Sequence, residues 1–377
     1  MLSLDPEARK ALEDNNTPSY RARAYYGEEL TEKDVPLSAV GSLTYSSDAV
    51  KQAIGSVYVR GDGDRSLVPR QPTDTLAPFG QELDIFRVLT VGKTSWEIPM
   101  GRFRIEDVPD MREYFRLYPS MKQVVSWDLQ LALVDRFDII EADDFLVPDA
   151  PKAGNSTWDE IRRLSPLPIV VSLPDRPVPP SLAYKSRIDA ITELMSNIGG
   201  TPHLTRQGAL TARVTDAWIT ATDPVFKVDG VINVSSSMSI KVFNSVVSRS
   251  SLGDNNIVSV REITGDGDPL SVNGPLRRRT YEHSSPLIET QAQADADAET
   301  VLRRVSSKQA KRITVTCLPR PDIELGDFGL AIDRNTRRRF LGEVSDMKFS
   351  MDPTADMTMD MILAEELDDQ VDLEVLE

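Results

Sequence analysis

The 377 residues carry a net charge of −16, with two histidines and one cysteine. That charge argues against tight binding to a phosphate backbone, the lone cysteine excludes an intrachain disulfide, and a four-ligand Cys/His zinc site cannot be assembled from one chain. The longest apolar run, residues 167–173, is far too short to span a bilayer, and MLSLDPEARK lacks the basic start and apolar core of a secretion signal, so a soluble protein made in a cytoplasm is expected.

Asp5-Pro6-Glu7 opens a short helix, with Asp as N-cap and Pro at the first helical position, ending by Asn15-Asn16. β-like runs follow at 20–26, 42–45, 50–60, 82–89, 95–99 and 102–107. Gly61-Asp62-Gly63-Asp64, Pro78-Phe79-Gly80 and Pro99-Met100-Gly101 punctuate them as turns. Residues 122–137 alternate, with Val125, Trp127, Leu129, Leu131 and Leu133 on one face. One antiparallel domain over 20–148 is the simplest reading, preceded by an N-terminal arm, 1–19.

Residues 148–154 read as a linker. Ser156 and Thr157 then start a helix, the proline-dense 166–180 runs over the surface, and Ser186 caps a stronger helix. Ile188, Ile191, Leu194, Met195 and Ile198 share one face of it, and Gly199-Gly200 stops it. A hairpin turning at Gln207-Gly208 completes a small α+β domain, 149–215. A second β-rich domain, 216–364, has expected strands at 231–234, 237–248, 257–262, 312–318, 329–333 and 338–349. One long helix, about 288–306, interrupts them, with Ala294, Ala298, Val301, Leu302 and Val305 on one face. Residues 365–377 are acidic and read as an exposed arm.

Chemistry is sparse. Cys317 has no partner and reads as a small buried hydrophobe. The two GDGD stretches lack the closing ligands of a calcium loop, so turn chemistry accounts for them. His203 and His283 lie in different domains, and no nucleophile elbow, phosphate loop or dinucleotide fingerprint is present. No enzyme and no cofactor are expected. Two basic triplets stand out in an acidic chain: Arg277, Arg278, Arg279 and Arg337, Arg338, Arg339. They read as solvated loop arginines or, more sharply, as candidate contacts with an acidic neighbouring subunit. The residues alone support a β-rich, acidic interaction protein.

A resemblance adds to this. PLSAVGSLTYSSDAVKQAIGSVYV, LAPFGQELDIFRVL with EIPMGRFRIEDV, SRIDAITELMSNIGGTPHLTRQGALTARV, PLRRRTYEHSSPLIETQAQADADAETVLRRV and TCLPRPDIELGDFGLAI occur in that order. Together they resemble minor tail proteins of actinobacterial phages, related to the baseplate hub and tail-associated proteins. The family often has Pro-Gly-Asp at the final bend, where this chain has Leu325-Gly326-Asp327.

The resemblance implies a mainly β fold: two tail-tube-like antiparallel β-barrel or sandwich domains around the small α+β domain. It implies a structural virion protein at the tail tip, a hub that closes the tube, anchors tip fibres and opens for DNA ejection. The implied assembly is a homotrimer whose six barrels continue a sixfold tube. Implied partners are the distal tail ring, the C-terminus of the tape-measure protein and a downstream tip or fibre protein, with DNA only in transit and no membrane. A tip adhesin and a tail-associated cell-wall hydrolase are the alternatives. In KRITVTCLPRPDIELGDFGLAI, the prolines are then expected to stop one strand and Gly326 to permit the bend into the next.

Overall fold

Period-two alternation over residues 122–137 produces an interior strand of the large sheet. The computed structural model describes residues 1–13, 16–63, 65–178, 182–215, 221, 223–238, 242–251, 257–307 and 311–368. In it β7 runs Met121–Asp135, and Trp127, Leu129, Leu131 and Leu133 are buried on its inner face. Val125, expected on that face, is exposed because a bulge opposite Tyr114 and Phe115 shifts the register. β7 lies between β4 (Ala53–Asp62) and β6 (Thr94–Tyr118). Beyond β6 come β5 (Gln81–Val91), β1 (Thr17–Tyr26) and β2 (Glu29–Val35). Beyond β4 come β3 (Leu37–Ser46), β17 (Arg338–Ser350), β18 (Met357–Asp368), β15 (Lys311–Cys317) and β11 (Val231–Met238). β16 (Phe328–Asp333) pairs with β17 and, in parallel, with β10 (Phe226–Val228).

The fold is thus mainly β, with one large sheet that is antiparallel apart from the β10–β16 pair. The expected barrels are not closed. Among the described residues the hydrogen-bonded path stays open and ends in β2 and β11. Strands from both β-rich regions share this sheet and one apolar core. The link is β3 with β17, where Tyr45 faces Met347 and Leu43 faces Phe349. All four are buried, and the Tyr45 and Phe349 rings meet edge-on at 5.9 Å. Joining the halves this way covers two sheet edges that would otherwise lie bare. In each half one bent segment changes partners. Residues 29–46 leave β1 for β4 around Pro36, and residues 226–238 leave β16 for β15 at Asp229-Gly230.

Pro99-Met100-Gly101 is not a turn but part of β6. A register shift between Ile85 and Phe86 absorbs the extra residue, so the two expected strands are one. β2, β10, β18 and β14 (Thr280–Ser285) were not anticipated as strands. The expected strand over 237–248 is divided: β11 ends at Met238 and β12 spans Ser245–Ser250, with 239–241 outside the described residues. The acidic C-terminal segment is not wholly an arm, since Glu365 and Glu366 pair with Leu341 and Phe340 inside β18. Residues 369–377 of it lie outside the described residues.

The short N-terminal helix α1 (Pro6–Glu13) packs Ala11 against Leu89 and Ile98, and two smaller layers sit beside the sheet. In one, α2 (Phe137–Ala142), α3 (Thr157–Leu164) and α4 (Arg187–Asn197) pack with the hairpin β8 (Gly200–Leu204) and β9 (Leu210–Val214). The side chains of Ser156 and Ser186 cap α3 and α4, and Gly199, at φ +77°, ends α4. Trp158, Ile161 and Leu164 meet Ile191, Leu194 and Met195 in its core. In the other, β13 (Val258–Glu262), β12 and β14 form a separate three-stranded sheet under α5 (Gln291–Ser307). Thr290 and Gln293 form a capping box at the start of α5, and Ala298, Val301 and Val305 pack on Val246.

The stretch at 311–332 is a strand, a crossing and a strand. β15 ends at Cys317, which is buried, and burial pushes its thiol up to about 12. Such a thiol stays protonated and unreactive. Gly326, at φ +77°, allows its N–H to reach Val344 O at 2.8 Å, and the Arg213 guanidinium fills the space where a Cβ would stand. The Met1 ammonium lies 2.5 Å from Asp327 and 3.4 Å from Glu324, tying the start of the chain to this bend.

Candidate assembly surfaces and the buried joint

The two arginine triplets lie on different parts of the molecule. Arg277, Arg278 and Arg279 precede β14 in the smaller sheet, and their backbone is clasped by Asn244. Its side chain donates to Arg277 O at 2.7 Å and accepts from Arg279 N at 2.7 Å. Arg278 pairs with Glu262 at 2.6 Å. Arg337 sits in the β16–β17 turn at φ +56°, and Arg338 and Arg339 begin β17. Arg338 lies 3.5 Å from Glu366 of its own chain, and Arg339 lies opposite Leu367 in the ladder. The second triplet therefore meets the start of the acidic C-terminal segment in cis.

A second constellation escapes the sequence analysis: a buried polar joint where the small helical layer meets the sheet. Glu82 accepts from Arg102 Nε at 2.7 Å and from Arg136 Nε at 2.8 Å, and all three side chains are buried. Arg136 also donates to Gly208 O at 3.0 Å, in the hairpin between β8 and β9. From the same hairpin Arg206 donates to Met100 O and Ile323 O, at 2.8 and 2.9 Å, and its guanidinium stacks over Tyr45. One signal for this joint was legible. The alternation of β7 puts Asp135 where an apolar side chain belongs, and Arg136 follows it.

Asp135 and His203 lie at this joint with Gln52 between them. Asp135 accepts from Ala53 N and Phe137 N, and His203 Nδ1 is 3.2 Å from Gln52 Oε1. Burial raises the Asp135 carboxyl to about 7, against backbone donors and the Lys51 charge that lower it. Enclosure lowers His203 to about 3, with the Arg213 and Arg206 charges adding. The two act on stability with opposite signs. A carboxyl raised from 3.8 to about 7 contributes stability at low pH that is lost as pH rises through 7. A histidine lowered from 6.5 to about 3 contributes stability above 6.5 that is lost as pH falls through 3. Between about 4 and 6.5 the slopes oppose. In Asp135→Asn the histidine acts alone, so the urea midpoint should rise with pH to about 6.5 and then level, more steeply than in the wild type. Parallel pH profiles would show that Asp135 does not titrate in this range.

Catalytic geometry is not assembled around the other histidine. His283 Nδ1 lies 2.8 Å from Asp297 Oδ2, and Ser248 Oγ donates to the same oxygen at 2.7 Å. A triad needs histidine between acid and serine. Here both converge on the carboxylate, so the histidine does not stand between acid and serine. The second GDGD stretch is a turn, with Gly267 at φ +84° and Leu270 N on Asp268 Oδ1 at 2.8 Å, while Asp64 of the first lies outside the described residues. Among the described residues no cluster of His, Cys, Asp and Glu is placed to hold a metal ion, and no helix is long and apolar enough to cross a membrane.

No protein-family model matches the chain, and no curated protein matches it in sequence. Solved structures do match. The tail protein from Neisseria meningitidis MC58 superimposes with a TM-score of 0.57 at 13% identity, covering 91% of this chain and 96% of that one. The 43 kDa tail protein of prophage MuSo2 from Shewanella oneidensis gives 0.53 at 11%, covering 91% and 98%. Prophage tail protein gp18 from Listeria monocytogenes EGD-e gives 0.51 at 8%, covering 92% and 94%. Across nearly its whole length, the chain has the fold of these phage tail proteins.

Proposed function

We propose that the chain is a structural protein of a phage tail, a hub at the tail tip that closes the tube, anchors the tip fibres and opens for DNA ejection. The observation that carries this reading is the fold shared with three tail proteins over more than 90% of each chain. The repeated build of the sheet supports two tube-like units, 20–148 and 216–364, since each half contains one bent segment that changes partners. Three copies would then present six such units around a tube, with 149–215 outside the ring or bracing it. The distal tail ring, the tape-measure C-terminus and a downstream tip protein are the partners this position implies. The Arg277–279 and Arg337–339 triplets remain candidate contacts between subunits. The mechanism is mechanical: an acidic wall repels DNA, so a strand slides past without sticking.

Gold-labelled antibody against this chain, applied to tailed particles of the phage that encodes it, should mark the tail end distal to the head. Label along the shaft would instead indicate a tube subunit. Particles without label would end the structural-virion reading.

A further inference from the structure

β4 and β7 pair without a break from Ile54–Val134 to Asp62–Ser126, so their outward side chains form a regular floor. The strands on either side are not regular. In β3 the register jumps from Leu37–Val59 to Gly41–Val57, which sets Ser38, Ala39 and Val40 opposite Tyr58 alone. In β6 it shifts between Asp107 and Asp110 and again between Tyr114 and Phe115. Extra residues bend a strand and strengthen its twist, and such bulges are over-represented beside active sites. Here they wall a groove of about 440 Å³, within the size range of ligand sites, lined by Ser38, Val40, Tyr58, Arg60, Tyr114 and Asp128.

The ladder fixes which side chains share this face. Trp127, Leu129 and Leu131 turn inward, so Ser126, Asp128 and Gln130 turn outward. Asp128 stands between Arg60 and Arg112, Tyr58 is opposite Gln130, and Tyr114 is opposite Ser126. Some of these groups are already used. Arg112 pairs with Asp110 at 2.8 Å with the Tyr114 hydroxyl beside it, and Gln130 donates to Ser56 Oγ at 3.1 Å. Others are not. Among the described residues the Arg60 guanidinium has no carboxylate partner, the Asp128 carboxylate accepts no hydrogen bond, and neither tyrosine ring meets another ring or stacks under a cation.

The charges of this face nearly balance: Arg60 and Arg112 stand against Asp62, Asp110 and Asp128. A polyanion therefore finds no positive excess here. What the groove offers is two uncommitted rings, roughly 17 Å apart by strand spacing, with one donor fork and one carboxylate between them. A sugar chain matches that order. The C–H face of a pyranose covers an aromatic ring, and adjacent hydroxyls donate to a carboxylate while accepting from a guanidinium.

We propose that this groove binds an uncharged oligosaccharide, with Tyr58 and Tyr114 under two of its rings and Arg60 and Asp128 on the hydroxyls between them. The inference goes beyond the hub reading and does not rest on it.

The test applies the full chain to an immobilised panel of neutral and acidic di- to hexasaccharides, and titrates the strongest neutral binder by calorimetry. A dissociation constant below ~1 mM is expected. Tyr114→Ala and Asp128→Asn should each weaken it at least ~tenfold, through a lost stacking face and a lost charged acceptor. Tyr114→Phe keeps the ring and should stay within ~threefold of the wild type. Tyr26→Ala removes an exposed tyrosine of another strand and should change nothing. Circular dichroism confirms that each variant is folded. A panel with no neutral binder at ~1 mM overturns the inference. So does neutral binding that Tyr114→Ala and Asp128→Asn leave unchanged, and so does binding of acidic saccharides alone that fades with added salt. In each case the tail reading stands, because only the gold-labelling result bears on it.

Discussion

Glu82→Ala should lower unfolding free energy by about 3 kcal/mol, the cost expected when two guanidinium groups lose the carboxylate that neutralises them in a buried site. Arg102 and Arg136 both bond Glu82, and each side chain is 8% exposed. Glu28, 3.3 Å from Arg102 and 3.9 Å from Arg136, is too exposed at 77% to replace it fully, and Asp84, 3.7 Å from Arg102, is ion-paired with that arginine alone. Glu82→Gln keeps an acceptor and should cost less, about 2 kcal/mol. Because Arg136 also holds Gly208 O, the small helical layer should loosen first. Amide exchange should then quicken in the β8–β9 hairpin before it quickens in β7. A urea-derived loss below about 1 kcal/mol would mean that the two arginines reach solvent once released.

Gly41→Ala should cost at least as much, about 3 kcal/mol, because strain and overlap act together at this position. Gly41 has φ +119°, and a Cβ there would stand 2.0 Å from the backbone oxygen of Ser56. Its carbonyl accepts from Met351 N at 3.0 Å, at the end of the β3–β17 ladder that unites the two halves of the sheet. Gly92→Ala is the control. At φ +62° it is strained, but nothing lies within 4 Å, so it should cost only about 1 kcal/mol. If the β3–β17 ladder couples the halves, Gly41→Ala should also make urea unfolding less cooperative, seen as a smaller m value. Equal losses at the two glycines would mean that β3 shifts to make room.

The elements that local chemistry specifies were legible. Ser156 and Ser186 announce their helices because a hydroxyl before a helical face satisfies free N–H groups within the same few residues. The inner face of β7 follows from alternation, apart from Val125, whose exposure depends on a bulge set by the partner strand. In β18, Met357, Met359 and Met361 alternate with Thr358 and Asp360, and the three methionines are fully buried. Methionine is not a typical strand residue, which hid the period.

By itself the sequence determined a β-rich chain with two capped helices beside a hairpin, a third long helix, glycine turns and a cysteine suited to burial. Only the tertiary structure decided that the two β-regions would merge, because pairing Tyr45 with Met347 joins residues 302 positions apart and no local period encodes a partner at that range. The same holds for the Glu82 joint, where each charge looks like a surface residue until the other two are brought to it. It holds too for the far end of β6, since the exposure of Leu117 follows from where the neighbouring strands stop, not from anything within β6.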